Sequence, residues 1–199
     1  MTGQKAASHF KLLGDLLLSM QVTDKHGAVL SLDKGISAAV DIILSVGTGP
    51  GKVMVIGNGG SAAIASHMQS DLCKAVGVRA MVFTEVPLLT ALTNDHGYSS
   101  AFKRPAALWT DTGDVMVAIS SSGQSENILR AVEAAASRGG RLITLSGFRA
   151  DNPLRQKGDF NFYIASSDYG QVEAAHAAVA HYLTDCCAMS GPGTGTSGD

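Results

Sequence analysis

Short apolar runs alternate with longer stretches of helical periodicity along most of this chain. Five runs rich in aliphatic residues predict β-strands: Lys52–Ile56, Arg79–Phe83, Val115–Ile119, Leu142–Leu145 and Asn161–Ala165. Helices are expected between and after them: Ala62–Cys73, Leu88–Leu92 continuing through Ser99–Leu108, Glu126–Arg138 and Val172–Met189. Apolar strands separated by helices of this length predict an α/β fold, with a five-stranded parallel sheet covered by helices on both faces.

Two amphipathic helices are predicted ahead of the first strand, over residues 5–21 and 30–46, and the run GTGPG at 47–51 ends the second. We expect residues 1–50 to be an N-terminal helical extension of the same domain that serves in oligomerisation. Residues 51–189 are expected to form the α/β unit itself. The low-complexity segment SGPGTGTSGD at 190–199 is predicted to be a disordered tail.

Composition narrows the class of protein. The net charge is −2, with 15 basic and 17 acidic side chains, and no basic stretch is dense enough to predict a nucleic-acid surface. Neither a signal peptide nor an apolar run of about 18 residues is visible, so no membrane association is expected. The three cysteines, Cys73, Cys186 and Cys187, form no CxxC pair. They are interpreted as core-filling thiols of a protein in the reducing cytoplasm.

Two strand-to-helix turns carry unusually small residues. VMVIGNGGSAA spans 53–63, and DVMVAISSSGQSENI spans 114–128 with four serines close to Gly123. Ligands bind beyond the carboxyl ends of parallel strands, and backbone N–H groups with serine hydroxyls can hold a phosphate there. One such turn alone is explained as tight packing, with Ser125 capping a helix. Two equivalent turns in one sheet favour phosphate binding over tight packing as the explanation.

A second group of side chains points to metal binding or proton transfer. His67 and Asp71 lie four residues apart, on one face of a predicted helix. Glu173, His176 and His181 share one broad face of the last helix, which is otherwise rich in Ala, Val and Leu. Each residue alone is more often solvated, or packed as a core histidine. Together they could bind a divalent metal or transfer a proton.

Four segments in this order and spacing, GNGGSAA, LTNDHGY, GDVMVAISSSGQSENI and LITLSG, resemble the sugar isomerase (SIS) domain, a flavodoxin-like fold. The leading helices and the closing segment EAAHAAVAH make the chain similar to the phosphoheptose isomerase branch. The resemblance extends over about residues 5–189.

The resemblance implies three groups of substrate contacts. The serine-rich turn would hold the sugar phosphate through Ser120, Ser121, Ser122 and Ser125. The first turn would lie along the sugar chain through Asn58, Gly59, Gly60 and Ser61. The Asn94–Asp95 pair would contact sugar hydroxyls.

The resemblance also implies that His67, Asp71, Glu173 and His181 surround the reacting carbons and bind one Zn²⁺ per subunit. Asp71 stands where the family usually has Glu, and Glu173 where it usually has Gln. We assign Asp71 as the base and His181 as the acid of an enediol proton transfer, with Glu173 also contacting substrate. A carboxylate at position 173 is expected to favour metal binding or to raise the pKa of a neighbouring group.

The function expected is isomerisation of a phosphorylated sugar, most simply of sedoheptulose 7-phosphate to a heptose 7-phosphate, by a homotetramer. The alternative is a non-catalytic SIS module that binds a sugar phosphate or a protein, as does a relative of this branch that associates with the replication initiator protein. A sugar-phosphate-sensing regulator would carry a DNA-binding helix-turn-helix, and residues 1–50 contain no basic recognition helix.

Overall fold

The computed structural model describes residues 5–190, which form one mixed sheet of seven strands. In chain order the strands are β1 (Gln21–Asp24), β2 (Val29–Leu30), β3 (Val53–Gly57), β4 (Ala80–Val82), β5 (Val115–Ser120), β6 (Arg141–Ser146) and β7 (Phe160–Tyr163). Their order across the sheet is β2-β1-β7-β6-β5-β3-β4. The five predicted strands form its parallel part, since β3 to β7 pair in parallel.

The sheet contains two strands more than expected. β1 pairs antiparallel with both β7 and β2, so a short hairpin extends the sheet beyond β7. These strands have four and two residues, too few for periodicity to reveal. The helices predicted over 5–21 and 30–46 overlap them only at Gln21 and Leu30. The leading segment therefore contributes strands as well as helices.

Within residues 5–190, seven α-helices accompany the sheet: α1 (Ala6–Leu18), α2 (Leu32–Ser45), α3 (Gly60–Asp71), α4 (Val86–His96), α5 (Lys103–Trp109), α6 (Glu126–Ser137) and α7 (Tyr169–Ser190). A single π-helical turn, Leu72–Val76, continues α3. The stretch expected to continue as one helix is divided into α4 and α5, because Gly97 ends α4 with a φ of 74° and a 3₁₀ turn follows at Tyr98–Ser100.

The helices cover both faces of the sheet, as predicted. One core cluster joins α1, α2, α3 and α7 to one face, and a second joins α5 and α6 to the other. The fully buried Val22, Ile42 and Ile43 make the first fifty residues part of the same core. By contrast α4 buries no residue, and α1 buries only Leu16.

The cysteines only partly match their expected role. All three are free, but only Cys187 is buried, while Cys73 is exposed and Cys186 is intermediate, because Cys73 lies on the solvent side of the turn after α3. Within residues 5–190, no helix combines the length and apolar character needed to cross a bilayer. Most of the tail predicted at 190–199 lies outside the described residues.

Candidate active site

The two small-residue turns lie side by side. β3 and β5 are neighbouring parallel strands, with Gly57 opposite Ile119, so the turns that follow them share one edge of the sheet. β4 lies on the far side of β3, and the chain therefore changes direction across the sheet between β3 and β5. Open α/β sheets form their ligand crevice at such a reversal.

A cavity of about 120 Å³ lies between the two turns. It is lined by residues of both turns and of the start of α7: Asn58, Ser61, Ile119, Ser120, Ser121, Ser122, Ser125, Tyr169 and Glu173. All four serines of the second turn are thus brought together. The lining is mainly hydroxyl and amide groups, which suits a small anion.

Two of these hydroxyls are available to a ligand. The Ser121 Oγ is buried and has no hydrogen-bond partner among residues 5–190. Ser125 is the N-cap residue of α6, yet its hydroxyl makes no capping bond and instead lies 3.4 Å from the Ser120 Oγ. Burying a hydroxyl without a hydrogen-bond partner costs free energy, and a phosphate oxygen in the cavity would accept a hydrogen bond from it.

Gly123 fixes the shape of the serine turn. Its φ is 63°, in the left-handed region, and a Cβ there would overlap the side-chain amide of Asn152. Asn152 in turn donates to the Ser146 Oγ and the Gly147 carbonyl, both at 3.2 Å. The turn is therefore held against the end of β6 in a conformation that only glycine allows.

A pair of asparagine side chains ties the two turns together. Asn58 Nδ2 donates to Asn127 Oδ1 at 3.0 Å, and Asn127 Nδ2 donates back to Asn58 Oδ1 at 2.8 Å. The Tyr98 hydroxyl also donates to Asn58 Oδ1, at 2.7 Å. Sequence reasoning missed Tyr98 and Asn127, although both lie within the motifs LTNDHGY and SSSGQSENI.

The Asn94–Asp95 pair, predicted to contact sugar hydroxyls, lies outside the cavity between the two turns. Asn94 Nδ2 donates to Asp95 Oδ1 at 3.0 Å, and both side chains are exposed on the last turns of α4. Neither lines the cavity between the turns. Because α4 ends at Gly97, the residue of this segment that contacts the first turn is Tyr98, through Asn58.

Glu173 lies in the serine cavity, against the beginning of α3. A Cβ on Gly60 would overlap the Glu173 carboxylate, so the carboxylate lies in the space that the glycine leaves. The first residues of a helix offer unpaired N–H groups and a positive dipole end, which favour a carboxylate there. Tyr169, one turn before Glu173 on α7, lines the same cavity and was not predicted.

Asp71 stands between two histidines in a separate cluster. Asp71 Oδ2 lies 3.4 Å from His67 Nε2 and 3.5 Å from His181 Nδ1. The two imidazole rings have centroids 4.5 Å apart. Both histidine side chains are more than half exposed, at 59% and 54%, and a hollow of about 220 Å³ adjoins them.

This cluster differs from the expected set of four. One ligand atom each from His67, Asp71 and His181 lies within 4.8 Å of the others, and Glu173 does not join them. Glu173 and His181 project within 90° of each other around α7, but eight residues separate them by about 12 Å along the axis. Glu173 therefore reaches the serine cavity, and His181 reaches Asp71.

His176, for which the sequence allowed either a site residue or a packed core histidine, is a core residue. It is fully buried, and its Nε2 lies 3.2 Å from the Ser146 carbonyl, to which it donates. Burial lowers the pKa of His176 to about 4, so the ring is neutral near pH 7. It therefore takes no part in the cluster.

The cavity and the cluster lie along the same two helices. α3 begins beside the cavity at Ser61 and carries His67 and Asp71 further along. α7 packs against α3 and leads from Glu173 to His181. The two features thus lie along one elongated surface, with the serine cavity at one end and the histidine–carboxylate cluster at the other.

Comparisons with known proteins agree on the family. The profile described as SIS domain matches residues 22–147. The phosphoheptose isomerase of Helicobacter pylori (strain P12) is 31% identical over 162 residues, which cover 78% of this chain and 84% of that protein. That of Rhodospirillum rubrum is 35% identical over 154 residues, covering 74% and 81%. The solved structure of a phosphoheptose isomerase from Francisella tularensis matches with a TM-score of 0.80 at 28% identity, covering 94% and 97%.

Proposed function

The chain belongs to the SIS domain family, and we propose that it converts sedoheptulose 7-phosphate to an aldose 7-phosphate. Its relatives named phosphoheptose isomerase support the broader assignment that it is an enzyme, a sugar-phosphate isomerase. The single observation that carries the finer proposal is the separation between a serine cavity and a histidine–carboxylate cluster along α3 and α7.

The length of the site supports a long substrate. Glu173 in the cavity and His181 in the cluster are about 12 Å apart along α7. An extended seven-carbon sugar phosphate spans about 10 Å from C1 to phosphorus, at roughly 1.3 Å per bond of about 1.5 Å. With its phosphate between the serines, such a chain passes Asn58 and Ser61 and brings C1 and C2 to Asp71.

Asp71 and His181 are the residues proposed to move protons. Asp71 Oδ2 faces both histidines, which leaves Oδ1 to take the proton from the carbon next to the substrate carbonyl. His181 directs Nδ1 toward Asp71, so its Nε2 is the atom that donates a proton to the carbonyl oxygen. The enediol that results becomes the aldose when Asp71 delivers its proton to C2 and the C1 hydroxyl gives its proton to His181 Nε2, which restores both side chains.

The three residues of the cluster also fit Zn²⁺. Tetrahedral zinc with bonds of about 2.0–2.1 Å separates its ligands by roughly 3.4 Å, close to the two Asp71–histidine distances of 3.4 and 3.5 Å. His67, Asp71 and His181 would hold the ion, and a set of three leaves a position open to substrate, as in catalytic zinc sites. Bound there, Zn²⁺ would stabilise the negative charge that develops on the substrate oxygen.

We also propose that the protein is a homotetramer. α1 exposes Phe10, Leu12 and Leu18, with 68%, 41% and 81% of their surface accessible. α4 buries none of its eleven residues although its sequence is largely apolar. Large apolar side chains exposed on helices in this way are expected where a helix contacts another subunit.

The test is direct. Purified protein is incubated with sedoheptulose 7-phosphate, with and without added Zn²⁺, and formation of the aldose phosphate is followed by NMR. Deuterium uptake at C1 or C2 from D₂O is recorded in the same spectra, since an enediol exchanges that proton. Absence of both product and exchange under both conditions would contradict the proposal.

A further inference from the structure

Phe148 has a strained backbone close to the site. Among residues 5–190 it is the single non-glycine residue with a positive φ, 58°. A bulky side chain rarely adopts this conformation, and such strain persists only where the surroundings impose it. Here they do: the Phe148 N–H donates to the Ser166 carbonyl at 2.8 Å, and its carbonyl accepts from the Tyr163 hydroxyl at 2.9 Å.

Tyr163, which donates the hydrogen bond to the Phe148 carbonyl, is fixed by its own contacts. Tyr163 ends β7 and is 4% exposed. The Arg155 guanidinium lies over its ring at 4.2 Å from the centroid and donates to the Ala150 carbonyl and the Gln21 side chain, at 2.9 and 2.8 Å. The conformation of Phe148 is therefore imposed from the sheet.

The Phe148 side chain contacts one residue of the serine cavity, Tyr169. The Phe148 ring meets the Tyr169 ring in an edge-to-face arrangement, with centroids 4.7 Å apart and planes at 80°. Tyr169 is the first residue of α7, lines the cavity and is 62% exposed. It lies one turn from Glu173, so the supported ring stands at the open side of the cavity.

We propose that Tyr169 is a specificity-determining substrate contact and that Phe148 is the residue that positions it. The other side chains around the cavity are mainly polar, and they suit the phosphate oxygens. An aromatic ring at the cavity mouth suits the C–H groups of the carbon that carries the phosphate. Tyr169 therefore favours primary phosphate esters over free phosphate. The inference rests on the proposed function for its sugar substrate, but the ester contact requires no particular sugar.

Calorimetric titration with inorganic phosphate and with glycerol 3-phosphate tests the contact. Tyr169→Ala is expected to weaken the ester roughly fivefold and to leave inorganic phosphate unchanged, whereas Tyr169→Phe keeps both affinities. Wild-type affinity for the ester in Tyr169→Ala would overturn the inference. If the wild-type protein does not isomerise sedoheptulose 7-phosphate but Tyr169→Ala still weakens glycerol 3-phosphate selectively, only the proposed function is rejected.

The positioning role is tested by two variants that both lack the Phe148 ring. Phe148→Ala and Phe148→Gly should weaken the ester as much as Tyr169→Ala does, and Phe148→Gly combined with Tyr169→Ala should add no further loss. The glycine variant relieves the positive φ, so it should melt about 2–4 °C above the alanine variant. The positioning role would be overturned if both Phe148 variants bound the ester with wild-type affinity. It would also be overturned if Phe148→Gly were no more stable than Phe148→Ala.

Discussion

The Glu173 carboxylate lies against Gly60, at the first residue of α3, rather than beside Asp71. The acidic residue thus shares its cavity with the proposed phosphate. A carboxylate near a phosphate dianion repels it, and the N-terminus of α3 offsets part of that repulsion. Glu173→Gln removes this charge while it keeps the size of the side chain.

We expect Glu173→Gln to lower the KM for the sugar phosphate by about tenfold and to leave kcat nearly unchanged. Zinc affinity, measured by calorimetry, should stay at the wild-type value because Glu173 is not in the cluster. A higher KM would show that the carboxylate accepts hydrogen bonds from substrate. Weaker zinc binding would show that Glu173 reaches the ion.

Ser121→Ala and Ser125→Ala should each weaken substrate and inorganic phosphate alike. Each removes a hydroxyl that donates to a charged oxygen, a contribution of about 1.5–3 kcal/mol, or roughly a 10–150-fold rise in KM. Ser137→Ala is the matched control, since that hydroxyl bonds only the Ala134 carbonyl at the end of α6. An unchanged KM in both cavity variants counts against the phosphate assignment.

His176 makes stability depend on pH. Burial lowers its pKa to about 4, so between pH 4 and its ordinary value of 6.5 the unfolded chain binds more protons than the folded one. The contribution of neutral His176 to the free energy of unfolding is therefore fully present above pH 6.5 and is lost as the pH falls. The loss amounts to about 3 kcal/mol at pH 4. Urea denaturation at both pH values measures it. His176→Gln should reduce the difference, and an identical difference in that variant would exclude His176 as its source.

The exposed apolar faces of α1 and α4 predict assembly. Light scattering at micromolar concentration should give about four times the chain mass of 20.5 kDa. Phe10→Ser combined with Leu18→Ser should shift the species to smaller mass, since both side chains are largely exposed and contribute little to the core of one subunit. Ser8→Ala, on the same helix, serves as a control. A monomer in the wild-type protein contradicts the prediction.

The parallel sheet could be predicted because its strands are buried on both faces and form continuous apolar runs. β3, for example, is buried at all five positions. The β1–β2 hairpin could not, since Val29 and Leu30 are too short a run to show any period. The hairpin could not be predicted because its strands are short, not because of their composition.

Sequence patterns pointed to most of the residues that line the cavity or form the cluster, but not to how these residues are grouped. A helical projection places Glu173 and His181 within 90° of each other, yet it contains no axial distance, and the rise of α7 separates them. Tyr98 and Tyr169 act through contacts with Asn58 and Phe148, which are 40 and 21 residues away in the chain. Such long-range pairs leave no periodic signal.

We propose that Asp71 transfers a proton between C1 and C2 of a sugar whose phosphate is bound by the serine turn. The most direct test of this proposal is the NMR assay with sedoheptulose 7-phosphate on the wild-type protein, Asp71→Asn and Asp71→Glu. The wild type should form the aldose phosphate and exchange deuterium. Asp71→Asn should lose about 10²–10⁴-fold in kcat, because an amide accepts no proton, and Asp71→Glu should retain turnover. Turnover by Asp71→Asn at the wild-type rate, or none by the wild type with or without Zn²⁺, would contradict it.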